Sequence, residues 1–253
     1  MFSLNGKTAL VIGGGGHVCS AIAEGFASAG ANVVIIDLRI EKATAITDKL
    51  KNTYSIDSIG LSADVTIKSE LQEAMNKVVS QYGGIEIAVN GAGINSPEPF
   101  LEIKEEDWHK VVDSQLTATY LGCQVIGSHM VSRNKGSIIN ISSASADPAL
   151  SKAYAYSAAK AGIRNLTQNL GREWAKQGVR VNAIRPGFFP TDWNRKNFIT
   201  KEREMAILNH TPMGRFGETH ELIGAAIFLA SDASNFVTGS ELIVDGGFSA
   251  MTI

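Results

Sequence analysis

Lys7-Thr8-Ala9-Leu10-Val11-Ile12-Gly13-Gly14-Gly15-Gly16-His17-Val18-Cys19-Ser20-Ala21-Ile22-Ala23-Glu24-Gly25-Phe26 passes from a short apolar run, through four consecutive glycines, into apolar residues at helical spacing (Val18, Ala21, Ile22, Gly25, Phe26). Strand, glycine turn, helix is the reading. Glycine lets the backbone come close to a phosphate, and the helix that follows presents unpaired N–H groups and the positive end of its dipole. Gly13, Gly16, His17 and Val18 are therefore candidate phosphate contacts, with a plain flexible turn as the alternative.

Working outward, Asn32–Asp37 is a second apolar run that ends in an acid about 20 residues beyond the glycines, where dinucleotide folds place a carboxylate on the adenosine ribose. Asp37 favours NAD over NADP, because a carboxylate repels a 2′-phosphate. Arg39 argues the other way, since a nearby arginine can pair with that phosphate. A charged helix (about 40–52) leads to a third strand from Ser58 that closes in Asp64-Val65, where Asp64 either faces an adenine amino group or forms the turn. Another helix, Lys68–Tyr82, precedes the strand Ile85–Val89, which opens into Asn90-Gly91-Ala92-Gly93. Strict alternation of strands and helices predicts an α/β fold: a doubly wound parallel sheet, with helices on both faces and ligands at the carboxyl ends of the strands.

The second half continues the alternation. Glu105–Val131 reads as one long helix carrying Gln115, Gly136–Ile141 as a strand, Tyr154–Gln177 as a helix and Val179–Ile184 as a strand leading to Arg185-Pro186-Gly187. Residues 188–212 show no clean period and are expected to form a substrate lid. Glu218–Ser231 is a last helix and Ser240–Gly247 a last strand and turn. Tyr156 and Lys160 stand at i,i+4 and project from one helix face. An ammonium beside a phenol favours the phenolate, so Lys160 is expected to lower the pKa of Tyr156 and fit it for acid/base chemistry. Ser143, at the end of the preceding strand, is placed to offer a hydroxyl to the same reacting oxygen.

The chain has 253 residues, 44% hydrophobic, which suits one domain spanning 1–253. Its formal net charge of −2, with scattered basic residues, gives no sign of nucleic-acid or membrane-surface binding. No apolar run is long enough to span a bilayer and the N-terminus lacks a secretory pattern, so a cytoplasmic location is expected. Cys19 and Cys123 form no motif and read as free thiols; the histidines show no zinc spacing, and no metal is expected.

Taken together and in this order, the glycine turn, Asn90-Gly91-Ala92-Gly93, Ser143, Tyr156-x-x-x-Lys160 and Pro186-Gly187 resemble the short-chain dehydrogenase/reductase family over essentially the full length. The resemblance implies a seven-stranded Rossmann sheet. It implies Tyr156 as the residue exchanging a proton with a substrate alcohol or ketone, Lys160 holding the nicotinamide ribose, and Ser143 orienting the substrate oxygen. It also places Asp64 and Val65 around the adenine, Asn90 and Gly93 beside the adenosine ribose and sheet end, with Gly91 and Ala92 between them among the cofactor contacts, and Pro186, Gly187, Phe189 and Thr191 at the nicotinamide carboxamide. A homotetramer paired through the two long helices is implied as well, with a small-residue face of Ala155, Ala158, Ala159 and Gly162.

Three departures stand out. His17 and Cys19 occupy the second and third glycine positions of the family turn Thr-Gly-x-x-x-Gly-x-Gly. Gln115 stands where the family has an asparagine that holds a water in the proton relay, and is expected to take that part. Gly91 replaces a second asparagine present in many members. Candidate substrate contacts are Asn95, Ser145, Asp147, Phe188, Trp193, Asn194 and Arg195, a mostly polar set that suits a sugar, polyol or sugar acid, with a lean to acids of the fructuronate/mannonate kind. The competing readings are an NADPH-dependent 3-oxoacyl thioester reductase and a dinucleotide-binding protein without catalysis.

Overall fold

A computed structural model describes residues 1–147, 150, 152–191, 195 and 199–251. Seven strands, β1 (Thr8–Ile12), β2 (Asn32–Asp37), β3 (Ser58–Ser62), β4 (Ile87–Asn90), β5 (Gly136–Ile141), β6 (Val179–Pro186) and β7 (Glu241–Val244), make one sheet in the order β3-β2-β1-β4-β5-β6-β7. Every neighbouring pair is parallel. The strand order reverses between β1 and β4, which opens a crevice at their carboxyl ends. Ile12 pairs with both Ile36 and Asn90, so the ends of β1, β2 and β4 are level there.

Because side chains alternate along a strand, the inner strands feed two cores, while the edge strands β3 and β7 each feed one. Ala9, Val11, Val33 and Ile35 pack with α1 (His17–Ser28), α2 (Ile40–Tyr54) and the late helix α8 (Ile223–Ala230). Leu10, Ile12, Val34 and Ile36 pack on the opposite face with α3 (Lys68–Tyr82) and α5 (Ala118–Ser132). Strands buried on both sides need continuous apolar runs, which is why the sequence shows runs rather than alternation. Among the described residues, no helix is long and apolar enough to cross a membrane.

Several boundaries differ from expectation. The predicted 105–131 helix is α4 (Glu105–Val112), a π-helical turn over Asp113–Thr117, and α5. The helix bearing Tyr156, α6, runs over Tyr154–Trp174 and closes through a 3₁₀ turn at Gly178, whose φ of 69° requires glycine. The segment expected to be irregular contains α7 (Lys201–Asn209), started by Thr200, whose hydroxyl accepts from the Arg203 N–H. Of the proposed interface face, Ala155 and Ala159 are buried within the chain, Gly162 sits close to the Leu116 side chain and only Ala158 is exposed.

Candidate active site

The glycine turn is built around contacts that side chains would block. Gly13, at φ 72°, donates to the Ile36 carbonyl (2.7 Å), and a Cβ there would fall 2.7 Å from Ala92 Cα, so the turns after β1 and β4 touch. Asp37 is held by two backbone N–H groups, Gly15 at its Oδ2 and Arg39 at its Oδ1, both at 3.1 Å. Its carboxylate thus stands against the glycine turn. Gly16 caps α1 without a side-chain hydrogen bond, and the first turn contains no acid. Exposed His17 and half-buried Val18 open that helix. Unpaired N–H groups at a helix start behind a glycine cradle fit the pyrophosphate of a dinucleotide.

Other expected cofactor contacts look inward. Asn90 is 2% exposed, and its amide donates to Asn140 Oδ1 (2.8 Å), whose own amide donates to Thr167 Oγ1 (2.9 Å). The Asn90 side chain ties β4 to β5 and α6, because a buried amide is drawn to polar partners in the core, and its backbone at the end of β4 is the part of the residue left to lie beside a ribose. Asp64 receives the Thr66 N–H (2.9 Å) and hydroxyl (2.6 Å) on one carboxylate oxygen, so its turn-forming role is the visible one. Val65 is buried with the core beneath that turn.

Cys19 and Gly91 account for each other. A Cβ on Gly91 would collide with Cys19 Sγ and come within 3.0 Å of Ile141. The thiol fills the space that a side chain at 91 would need. Burial pushes its pKa up to about 12, against the pull of the nearby Lys160 ammonium, so it is a neutral packing group.

In the catalytic half, Lys160 is 4% exposed and donates to the Ile141 carbonyl at 2.6 Å, with its Nζ 5.4 Å from the Tyr156 ring centre. Burial pulls its pKa down to about 8. Burial also holds the half-buried Tyr156 phenol above its ordinary value, and a hydrogen bond with Ser143 pulls the other way. This corrects the expectation that Lys160 lowers the phenol. In the protein's own residues desolvation dominates, and the opposing pull is the hydrogen bond with Ser143.

Gln115 is tied to the loop after β4. It is 4% exposed in the π turn, donates its amide to the Ile94 carbonyl (2.9 Å) and packs against Gly93, while Ser114 Oγ accepts from the Ile94 N–H (3.2 Å). Its backbone carbonyl accepts from Thr119 Oγ1 (2.7 Å). Through its amide N–H the residue latches the loop after β4, while its side-chain oxygen is buried without a partner among the described residues.

On the substrate side, Ser145 is 3% exposed and its hydroxyl is bonded to Ser143. Asn95 is exposed on the loop after β4. Phe188 stacks edge-on with Phe248 (5.2 Å), Phe189 covers Gly217, and the Arg195 guanidinium lies 4.9 Å from the Phe216 ring centre. Gly187 donates to Val244 (2.9 Å), which joins the ends of β6 and β7; Pro186 pairs with Val244 in the sheet, and Thr191 accepts from the Arg195 N–H. Trp193 and Asn194 lie outside the described residues.

Asp147 is clamped by Arg185 (2.5 Å) and by Arg164, which hold its carboxyl below the usual range. Arg185, 3% exposed, also meets Glu241 at 3.3 Å. This network was not foreseen, although an arginine beside an apolar strand is a signal that a buried anion must exist.

A family profile described as Enoyl-(Acyl carrier protein) reductase matches residues 17–249. The D-threitol dehydrogenase of Mycolicibacterium smegmatis is 36% identical, over 98% of this chain and 95% of its own length. The 5-keto-D-gluconate 5-reductase of Escherichia coli K12 is 35% identical, over 98% and 97%. A crystal structure of a gluconate 5-dehydrogenase from Burkholderia cenocepacia, in complex with NADP and tartrate, superposes with a TM-score of 0.94 at 35% identity, covering 99% of this chain and 98% of that one. With its parallel seven-stranded sheet, its cradle for a dinucleotide and Ser143, Tyr156 and Lys160 gathered at the carboxyl edge, the chain belongs to the short-chain dehydrogenase/reductase family of nicotinamide-dependent oxidoreductases.

Proposed function

We propose that the protein interconverts a secondary alcohol and a ketone on a polyol, sugar or sugar acid, with NAD(H) as cofactor. The observation that carries this reading is the approach of the Ser143 hydroxyl and the Lys160 ammonium to Tyr156. When bound, the nicotinamide ring supplies or accepts the hydride. Tyr156 passes the proton to or from the substrate oxygen, and Ser143 donates a hydrogen bond to that oxygen as charge develops on it. Lys160, fixed by the Ile141 carbonyl, holds the ribose and keeps positive charge beside the phenol. The lid expected over 188–212 lies partly outside the described residues; of its described part, Phe188 and Phe189 stand next to the end of β6. The working form is a cytoplasmic homotetramer, and a monomeric mass in light scattering would refute that part.

The relatives named for threitol and 5-ketogluconate support the substrate class. It is tested by assaying D-threitol, glycerol, D-gluconate, 5-keto-D-gluconate and a 3-oxoacyl thioester with each cofactor. Turnover of the thioester alone refutes the substrate class, and cofactor binding without any turnover refutes the enzyme reading.

The Burkholderia structure contains NADP; the case for NAD here rests on Asp37, whose carboxylate is fixed by Gly15 and Arg39 where a 2′-phosphate would meet it. Asp37→Asn, which removes the charge and keeps an acceptor, is expected to raise the NADP:NAD ratio of kcat/KM by about 10-fold, a change of about 1.4 kcal/mol. A wild-type preference for NADP ends the NAD assignment.

A further inference from the structure

We propose that Ser145 is a positioning residue for the hydride-transfer reaction, acting through Ser143: it fills the acceptor sites of the Ser143 hydroxyl and so dedicates that hydroxyl's proton to the reacting oxygen. The inference rests on the assignment of Ser143 and Tyr156 to the chemistry.

A serine hydroxyl has one proton and two acceptor lone pairs. Ser143 Oγ receives the Ser145 N–H at 3.2 Å and the Ser145 hydroxyl at 3.1 Å. Both come from a residue that is 3% exposed and therefore withdrawn from any substrate. With both acceptor sites occupied, the Ser143 proton is free only to donate, and its neighbour is the Tyr156 phenol. Two incoming bonds also polarise the hydroxyl and make it a stronger donor. A hydroxyl free to rotate would populate orientations in which its oxygen faces the substrate oxygen, and each of those is unproductive. The backbone reinforces the arrangement: residues Ala144–Ala146 form a 3₁₀ turn, closed by the Ala146 N–H on the Ser143 carbonyl (3.0 Å). Just beyond it, the two arginines fix Asp147. The loop that carries Ser145 is thus anchored independently of Ser145 itself.

The test uses the full-length enzyme and the panel substrate with the highest kcat/KM among D-threitol, glycerol, D-gluconate and 5-keto-D-gluconate. Ser145→Ala, which keeps the N–H and loses the hydroxyl, is expected to lower kcat by about 5-fold with KM within about 2-fold, the pattern of a lost transition-state interaction worth one hydrogen bond. In a Ser143→Ala background the same substitution is expected to change kcat by less than about 2-fold, because residues acting through one another are not additive. Melting temperature and NADH affinity, measured on each variant, identify any loss of fold. A raised KM at constant kcat, or full additivity with Ser143→Ala, overturns the proposal by making Ser145 an independent contact. Ser143→Ala with wild-type turnover overturns both this inference and the catalytic assignment beneath it. A readout that needs no substrate is the crystal structure of Ser145→Ala. Ser143 Oγ is expected to turn away from Tyr156, and an unchanged Ser143 orientation refutes the positioning role.

Discussion

Tyr156→Phe is expected to lower kcat by about 10³-fold, in the range usual for loss of a general acid/base, and to leave NADH affinity within about 2-fold. The substitution removes one oxygen and keeps the ring, so the packing around the half-buried side chain survives. What is lost is the group that Ser143 and Lys160 approach. The asymmetry between chemistry and binding is the discriminating feature. The phosphate cradle lies on β1 and α1, whereas Tyr156 lies on α6, so the two halves respond separately. Steady-state kinetics and NADH fluorescence titration measure the two quantities. Turnover retained in Tyr156→Phe would sink the mechanism.

Lys160→Met is expected to abolish turnover and to reverse part of the pH dependence of stability. Burial lowers the folded-state pKa of Lys160 from 10.5 to about 8. Between those values the unfolded chain binds more protons than the folded one, so this group's contribution to stability rises with pH. Below pH 8 the fold carries the full cost of a desolvated ammonium, about 3 kcal/mol for a shift of this size. Methionine removes that cost but leaves the Ile141 carbonyl without its donor, a penalty of about 1–3 kcal/mol. The two nearly cancel at pH 7. At pH 10 the folded-state lysine is neutral while the unfolded one, with its pKa of 10.5, is still mostly charged, so the desolvation cost has fallen to about 1 kcal/mol, the lost hydrogen bond outweighs it, and the wild type is the more stable protein. Urea unfolding at pH 7 and pH 10 should show the difference between the two proteins moving by about 2–3 kcal/mol toward the wild type. The thiols of Cys19 and Cys123, both pushed up to about 12 by burial, act in the opposite direction above their ordinary range. Cys123 is common to both proteins and cancels in the comparison, whereas Cys19 loses the pull of the Lys160 ammonium in the variant, and both pH values lie below the range in which it titrates in the fold. A difference that stays flat with pH would mean that Lys160 is solvated.

The sheet was legible in the sequence because strands covered on both faces must be apolar throughout, and each run from Lys7 to Ile184 found its place. What escaped was structure that periodicity does not mark. Helix α7 buries only Ile207, so it has no apolar stripe to read, while its first turn is acidic. The π turn that re-aims Gln115 inserts one residue of phase into an otherwise continuous helix, and no residue type announces it. Side-chain direction was the harder matter. Asn90 and Ser145 stand at the expected places in the chain, yet both side chains turn inward, onto buried partners at Asn140 and Ser143 that no local pattern announces. The pairing of Arg185 with Asp147 and Glu241 joins residues 38 and 56 apart, a contact that only the parallel β6–β7 register and the loop after β5 bring about.

The mutual fit of Cys19 and Gly91 constrains the routes by which such a chain can change. Starting from the family pattern of glycine at 19 and asparagine at 91, the order of substitution matters. Losing the asparagine first leaves a small void, which a fold of this size tolerates. Gaining the cysteine first drives its sulfur into an occupied space beside Ile141, the residue that holds the Lys160 ammonium. One path is open and the other is closed, so the two positions are epistatic. Once both exchanges are made, reverting position 91 alone is blocked, and the unusual glycine turn becomes a ratchet that a single substitution at 91 cannot undo.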